Sequence, residues 1–467
     1  VTGAALPAKL GAAQHPLRVA IVGSGPSGFY AAEALLDTGL AVEVDIVERW
    51  PVPYGLVRFG VAPDHPKLKS VASVFDGIGR DPRVRFFGNV CIGRDLPAEA
   101  LGSMYHAVIV ATGADGERKL DIEGEHLPGV HAARDFVGWY NGEPACADMS
   151  FDLSHEVAVV VGQGNVALDV CRILASPVDA LCRTDIAQHA LDVLAASRVR
   201  EIHLVGRRGP AQAKFTSKEL REVGALPGWA AAVEPASLEL NEASQAELAD
   251  PACANAAKNV SILRSFAASK SESGRTIHFH FLLAPTRLEG TNRLQTVTFE
   301  RQSLTGEPMR QVPVPTGERF SLSAGLLFRS VGYRGCALGG LPFDPARGTV
   351  PNQQGRVLDA SGEPMTGWYV TGWIKRGPTG IIGTNRLDSV ETVARLVDDL
   401  PSLDRNRAGR QALTQALSRA GTSYIGFDQW LAIERAEQDR GRPLRKPAEK
   451  FVRVPDMLAA ARSGFAG

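Results

Sequence analysis

The stretch Arg18-Val-Ala-Ile-Val-Gly-Ser-Gly-Pro-Ser-Gly-Phe-Tyr-Ala-Ala-Glu33 constrains the fold of this chain more than any other. Its apolar run, Val19 to Val22, reads as a strand buried in a parallel sheet. The run ends in Gly23-Ser24-Gly25-Pro26-Ser27-Gly28 and passes straight into an alanine-rich helical pattern, Phe29 to Leu36. In that context each glycine has a task. Gly23 allows the tight turn, Gly25 lets a pyrophosphate approach the backbone, and Gly28 lets helix and strand pack closely. The free N–H groups and positive end of the helix then hold the phosphates. A second apolar run, Val42 to Val47, ends in Glu48, where a ribose-binding carboxylate belongs. Strand, glycines, helix and acid together predict a dinucleotide site rather than a capping turn that binds nothing.

The pattern then returns. Val157 to Val161 is a second buried strand, followed by Gly162-Gln163-Gly164-Asn165-Val166-Ala167 and a helix through Leu174. Two fingerprints imply two dinucleotides, and two dinucleotides imply electron transfer between them. The next strand, Glu201 to Val205, is delayed by a helical insertion, Asp185 to Ala196, and ends in Gly206-Arg207-Arg208-Gly209 rather than in an acid. A carboxylate there would select the 2′-hydroxyl of NAD, whereas permanently charged guanidinium groups accommodate a 2′-phosphate. The second dinucleotide is therefore expected to be NADP(H).

Between and beyond the fingerprints the chain is less regular. Trp50 to Lys69 is too rich in Pro and Gly for a regular element and reads as an ordered loop carrying side chains to a site. Val71 to Arg80 reads as a helix, and Val84 to Val90 and Ala107 to Val110 as strands, the latter ending in a small–Thr–Gly113 turn. Ala114 to Gly129 marks a domain boundary, and Asp135 to Tyr140 a short helix. Residues 228 to 330 read as meandering strands (Val260 to Leu263, Ile277 to Leu283, Leu294 to Glu300, Leu326 to Val331) with a polar helix over Asn241 to Asp250. Near the end, a strand over Trp368 to Val370 turns through Thr371-Gly372, and a helix begins again at Gly380 and continues to Leu396. The start of that helix would stabilise the negative charge of a reduced flavin. Trp373 packs on or near the cofactor ring, or else in the core. From Leu403 the chain is made of amphipathic helical pieces. The basic residues Arg440, Arg442, Arg445, Lys446, Lys450 and Arg453 read as a solvated face.

With 467 residues the chain is long enough for two or three domains. Its 51 basic and 51 acidic side chains balance, so no global field points to nucleic acid or an anionic membrane. The six cysteines include no CxxC or CxxxxC spacing, which argues against a redox-active disulfide, a zinc site or a cysteine-bound cluster built on them. Scattered thiols fit a reducing compartment. Residues 1–17 do not look like a signal peptide, and no apolar run approaches the ~18 residues of a membrane span. The expectation is a cytoplasmic protein with no integral membrane segment.

Taken together these motifs resemble the adrenodoxin-reductase-like ferredoxin–NADP⁺ reductases, most closely the bacterial FprA-type enzymes. The resemblance rests on Val22-Gly-Ser-Gly-Pro-Ser, Tyr54-Gly-Leu-Val-Arg-Phe-Gly-Val-Ala-Pro-Asp-His-Pro-Lys, Gly162-Gln-Gly-Asn-Val-Ala-Leu-Asp, Gly206-Arg-Arg-Gly-Pro and Gly372-Trp-Ile-Lys-Arg-Gly-Pro-Thr-Gly-Ile-Ile-Gly-Thr-Asn. It implies an α/β fold with two Rossmann-like dinucleotide-binding domains. An NADP domain (115–329) is inserted into a discontinuous FAD domain (16–114 and 330–467). By position, the FAD contacts would be Gly23, Ser24, Gly25, Pro26, Gly28, Glu48, Leu56, Val90, Trp373, Gly380, Ile381 and Ile382. Those to NADP would be Gly164, Asn165, Val166, Arg207, Arg208, Glu219 and Gly380. Gly28 departs from several relatives, which carry Ala there. The implied activity is hydride transfer from NADPH to FAD, followed by single-electron transfer to a ferredoxin-type iron–sulfur protein.

His65, between Asp64 and Pro66, could relay a proton together with Glu222, or could merely order its loop. An acidic ferredoxin would meet a basic rim, with Lys67, Lys69, Lys375 and Arg376 as candidates. A disulfide reductase lacks its cysteine pair here, and a glutamate-synthase-like small subunit would need N-terminal cluster cysteines. A flavin monooxygenase or quinone reductase built from the same parts, and a non-enzymatic FAD/NADPH sensor, remain alternatives.

Overall fold

The computed structural model describes residues 9–269, 274–404 and 406–463. The first eight residues of the segment compared with a signal peptide lie outside that range. The chain divides into two compact units. One takes the chain up to Glu117 together with everything from Tyr333 onward, and the other is Arg118–Gly332. The sequence placed these joints at 115 and 330.

In the outer unit the β-branched runs pair where their hydrophobicity requires, inside a sheet covered on both faces. Leu17–Val22 lies between Val42–Glu48 and Ala107–Val110, with Val84–Gly88 beyond the former and Pro364–Val370 beyond the latter, all parallel. Two short antiparallel strands, Asn352–Gln353 and Arg356–Leu358, close that edge. Alternate residues serve opposite cores. Val19 and Ile21 pack with Phe29, Phe75 and Trp430, while Ala20 and Val22 pack with Val108, Val110 and Val370. Helix Pro26–Leu36 packs along helix Ile382–Asp398. The strand order reverses between Leu17–Val22 and Ala107–Val110, and ligands of open α/β sheets bind beyond the carboxyl ends of the strands at that switch.

The inserted unit repeats the plan. Its parallel sheet runs Val130–Ala132, Leu326–Arg329, Val157–Val161, Glu201–Val205, Thr276–His280, Ala230–Val233. The switch falls between Leu326–Arg329 and Val157–Val161. A three-stranded antiparallel sheet, Leu283–Glu289, Thr296–Thr305 and Val312–Ser323, adds Leu283, Val297 and Phe299 to the core beneath Val159, Val161 and Val205.

Three expectations need correction. Val260 to Leu263 is not a strand but part of helix Ala254–Ala268, with Asn259, Val260 and Leu263 on its buried side. Asn259 Nδ2 donates to the Phe215 carbonyl there at 2.8 Å. Residues 228–330 are accordingly not one meander, because Ala230–Val233, Thr276–His280 and Leu326–Arg329 join the parallel sheet. The Trp50–Lys69 loop contains two single helical turns, Leu56–Phe59 and Pro66–Lys69. No described helix is long and apolar enough to cross a membrane.

Candidate cofactor sites

In the outer unit the glycine turn leaves the sheet at the switch point. Gly23 has φ +107°, and its N–H donates to the Val47 carbonyl at 2.8 Å. A Cβ at Gly23 would press on the Ala111 carbonyl, so the turn lies directly against the strand across the switch. At Gly28 a Cβ would run into the Gly23 carbonyl oxygen, so an alanine here needs the turn itself to shift. Around Gly25, by contrast, a Cβ would meet nothing within 4 Å, and no side chain caps the helix that starts at Pro26. An open glycine before an uncapped helix N-terminus is the cradle a pyrophosphate requires.

Glu48 is buried and holds that turn in shape. Its Oε2 accepts from the Ser24 N–H at 3.0 Å and the Ser24 hydroxyl at 2.7 Å, and its Oε1 accepts from the Trp50 N–H at 3.1 Å. The Val90 N–H donates to the Glu48 carbonyl at 2.9 Å, which sets the buried Val90 beside it. Half-buried Leu56 opens the helical turn after Tyr54-Gly55. The Tyr54 N–H donates to the Ser24 carbonyl at 3.0 Å, and a Cβ on Gly55 would stand 3.0 Å from the Gly25 Cα. The loop thus folds onto the glycine turn. Tyr54, at φ +84°, donates its hydroxyl to Asp76 and accepts from Trp430 Nε1 at 3.3 Å. Burial and the Asp76 carboxylate push that hydroxyl above the usual tyrosine range. His65 is buried too and stands at the start of the Pro66–Lys69 turn, where its carbonyl accepts from the Leu68 N–H at 3.1 Å.

The C-terminal motif closes the same region. Gly372 has φ +76°, and a Cβ there would strike the Ser27 hydroxyl. Asp388, which the sequence did not single out, accepts the Gly372 N–H at 2.5 Å and faces Lys375 Nζ at 2.8 Å. Ser389 ties the helix to the Ser27 carbonyl at 3.0 Å. Trp373 is half-buried, donates Nε1 to the Thr379 carbonyl at 3.1 Å and tilts against Tyr333, with ring centroids 5.6 Å apart. The helix starts at Ile382 rather than Gly380. Thr384 Oγ1 accepts the Ile381 N–H at 3.2 Å, while Gly380 (φ +84°) lies outside it with an exposed Ile381.

Two basic expectations fail here. Lys375 is buried and paired with Asp388 and with Glu391 at 2.6 Å, and Arg376 Nη2 donates to Asn385 at 2.5 Å. Neither is part of an open rim. Farther along, Lys446 and Lys450 are buried, the first against Glu449 and the second 3.4 Å from the Arg58 carbonyl, so that stretch is not uniformly a solvated face.

The second site belongs to the inserted unit. Gly162 (φ +146°) lies so close to the Ser330 carbonyl that a Cβ would overlap it, whereas one on Gly164 would meet open space. Helix Asn165–Ala175 begins there with no side-chain cap, and Val166 is half-buried in its first turn. Asn165 Oδ1 accepts the Thr216 N–H at 2.8 Å, fixing helix Ser217–Gly224 beside the turn. On that helix Glu219 is buried and accepts from Arg172 Nη1 at 3.1 Å, while Arg172 Nη2 reaches Asp169 at 2.7 Å. Glu222, half-buried, pairs with Lys218 at 3.5 Å and belongs to a different unit from His65. Beyond the neighbouring strand, Arg207 is exposed and Arg208 half-buried. Among the described residues neither guanidinium forms an ion pair, although Arg208 lies near enough to Glu247 to help hold its carboxyl below the usual range, and two cations at a strand end suit a phosphomonoester.

No protein-family model matches the chain. It is 43% identical over 455 residues to the NADPH-ferredoxin reductase FprA of Mycobacterium leprae, covering 95% of this chain and 98% of that protein. The chain belongs to the NADPH-ferredoxin reductase family. It is likewise 42% identical to the mitochondrial NADPH:adrenodoxin oxidoreductase of Salvelinus fontinalis, over 96% of this chain and 91% of that one. The solved Mycobacterium tuberculosis FprA in complex with NADPH superposes with a TM-score of 0.90 at 41% identity, covering 96% of this chain and all of the other. The reductase fold, with one Rossmann-like unit inserted into another, is thus shared along the chain. Gly372→Ala is expected to combine a strained positive φ with a clash at Ser27. It should cost roughly 1–3 kcal/mol, read as a lower thermal midpoint and less flavin retained per purified chain.

Proposed function

We propose that this reductase takes a hydride from NADPH onto FAD and returns the electrons singly to a ferredoxin-type iron–sulfur protein. The observation that carries the reading is the pair of open, uncapped glycine turns, one per unit, the second followed by two arginines outside any ion pair. When bound, the nicotinamide and flavin supply the hydride and electron chemistry, and the protein supplies position and electrostatics. Gly23, Ser24, Gly25, Pro26 and Gly28 would hold the FAD pyrophosphate on the helix N-terminus, with Glu48 ordering that turn. Leu56, Val90, Trp373, Gly380, Ile381 and Ile382 would line the rest of the flavin site. Gly164, Asn165 and Val166 would hold the NADP pyrophosphate, Arg207 and Arg208 its 2′-phosphate. Glu219, held by Arg172, would contact NADP, and Gly380 would lie near the nicotinamide.

Lys67 is exposed on its helical turn and Lys69 half-buried, and together they would offer an acidic partner a local basic rim. Six unpaired cysteines fit a reducing, cytoplasmic compartment. His65, ordered in its loop, is the candidate proton relay, with Glu222 as its partner.

The decisive experiment is the visible spectrum of the purified protein under anaerobic titration. Flavin bands should bleach promptly with NADPH and sluggishly with NADH. A colourless protein that cannot be reconstituted with FAD, or a flavin indifferent to NADPH, would sink the reading. Arg207→Ala should raise the KM for NADPH about 10- to 100-fold, the worth of a charge-assisted contact, and leave that for NADH nearly unchanged. Equal effects on both would remove the pair from the 2′-phosphate. His65→Ala should retain FAD but slow its reduction by NADPH in stopped flow. An unchanged rate would reduce His65 to a loop-ordering residue.

A further inference from the structure

The inserted unit carries a second cluster of chemistry-bearing side chains that the nucleotide reading does not use. Strand Glu201–Val205 contains Glu201-Ile-His203, and its parallel neighbour Thr276–His280 contains His278-Phe-His280. Register pairs His203 with His278. Because side chains alternate, Glu201, His203, His278 and His280 all project from one face, while Ile202, Leu204, Ile277 and Phe279 enter the core on the other. On the next strand the residue level with His203 is Val159, an aliphatic side chain in the apolar core of that same face. Packing alone would be served by more of the same, and burying polar rings costs free energy unless something compensates them.

The three rings are stacked with nearly parallel planes. His203 lies 4.8 Å from His278 and 5.1 Å from His280 between ring centroids, tilted by 13° and 14°. His203 Nδ1 is 2.9 Å from His280 Nε2 and engaged with it. Its other nitrogen, Nε2, is buried and has no hydrogen-bond partner among the described residues, although Glu201 Oε1 stands 2.9 Å away. The same carboxylate oxygen is 3.3 Å from His278 Nε2. A ring nitrogen this close to a carboxylate, yet outside hydrogen-bonding direction, is poorly accommodated. As a bare lone pair it lies beside a second electron-rich atom. As an N–H it points past its acceptor.

A cation between them resolves the conflict. Ligand atoms at ~2.0–2.1 Å from a tetrahedral zinc stand roughly 3.3 Å from one another. The two spacings to Glu201 Oε1, 2.9 and 3.3 Å, lie below and at that value, and the ligand atoms of Glu201, His203 and His278 all lie within 4.8 Å of one another. We propose that Glu201, His203 and His278 form a divalent transition-metal site, best suited to zinc, in which His280 orients His203 through its Nδ1. Two imidazoles with one carboxylate are a recognised zinc donor set, and the ring partner on the far nitrogen is the outer-shell contact such ligands usually carry. Glu201 and His278 are partly exposed, with side-chain accessibilities of 41% and 33%, so solvent can enter and complete the coordination.

The metal would tie two adjacent strands of the parallel sheet together and is assigned no part in electron transfer.

The test uses the flavin-loaded protein, freed of metal by chelator and dialysed to equilibrium against zinc. One zinc per chain is expected, with a raised thermal midpoint and an X-ray absorption edge fitting imidazole and oxygen donors without sulfur. Glu201→Gln and His278→Ala should abolish that stoichiometric uptake, and His280→Ala should weaken it by about 10- to 100-fold, the usual effect of losing an outer-shell partner. Flavin content and bleaching by NADPH should be unchanged in all three, which separates this proposal from the reductase reading and shows that the variants fold. Failure of the wild type to take up zinc in several-fold excess would overturn the site. So would uptake indifferent to the substitutions, or sulfur in the coordination shell.

Discussion

The carboxylate of Glu48 is the contact on which the outer unit's site depends. It ends a buried strand and receives two donors from Ser24 and one from the Trp50 backbone. A glycine turn is otherwise the most mobile kind of segment, since glycine loses more conformational freedom on ordering than any other residue. Pinning the middle of the turn to the neighbouring strand means much of that entropy is lost during folding rather than at ligand binding, which is what preorganisation requires. An ionised carboxylate offers about four acceptor positions. With three taken, Glu48 orders the turn and keeps room for roughly one further donor, such as a ribose hydroxyl.

The inserted unit solves the same problem with different parts. Its strand after the fingerprint ends in Arg207-Arg208, so no acid is available to reach back to the turn. The fixing contact comes instead from the side, where Asn165 binds the Thr216 backbone and Arg172 binds both Asp169 and Glu219. Arg172 is almost wholly buried, and a buried guanidinium with two carboxylates is costly to break by removing one partner. Glu219 is therefore held in place by Arg172. Arg207 is left exposed and Arg208 half-buried, which suits the 2′-phosphate contact proposed for them.

What could be read in the sequence was what local pattern encodes. Both strand–glycine–helix turns, the paired arginines and most parallel strands follow from β-branched runs and glycine spacing. Val260–Leu263 is ambiguous in the sequence because four residues with apolar ends fit a buried strand and one face of a helix equally well. The alanine-rich flanks, Ala254 to Ala268, were the signal that should have decided it. Asp388 was invisible because its partner, the Gly372 N–H, lies sixteen positions earlier in the chain. The histidine cluster was equally hidden. Glu201-x-His203 and His278-x-His280 are unremarkable alternations until the register places them on adjacent strands.

Charge was the least readable property. Lys375 and Arg376 stand in a glycine-rich motif and look like an exposed basic pair, yet Asp388 and Glu391 draw Lys375 into the protein. Desolvating that ammonium is favourable only because two carboxylates and the Thr392 hydroxyl surround it. The same helix supplies Asp388 to the Gly372 backbone, so one carboxylate both neutralises the lysine and fixes the glycine turn that Ser27 abuts. Replacing Lys375 would thus disturb the flavin-side turn before it altered any long-range field. A loss of partner affinity on such a substitution would say little about docking, whereas Lys67, exposed on a single helical turn, can be changed without touching a buried ion pair.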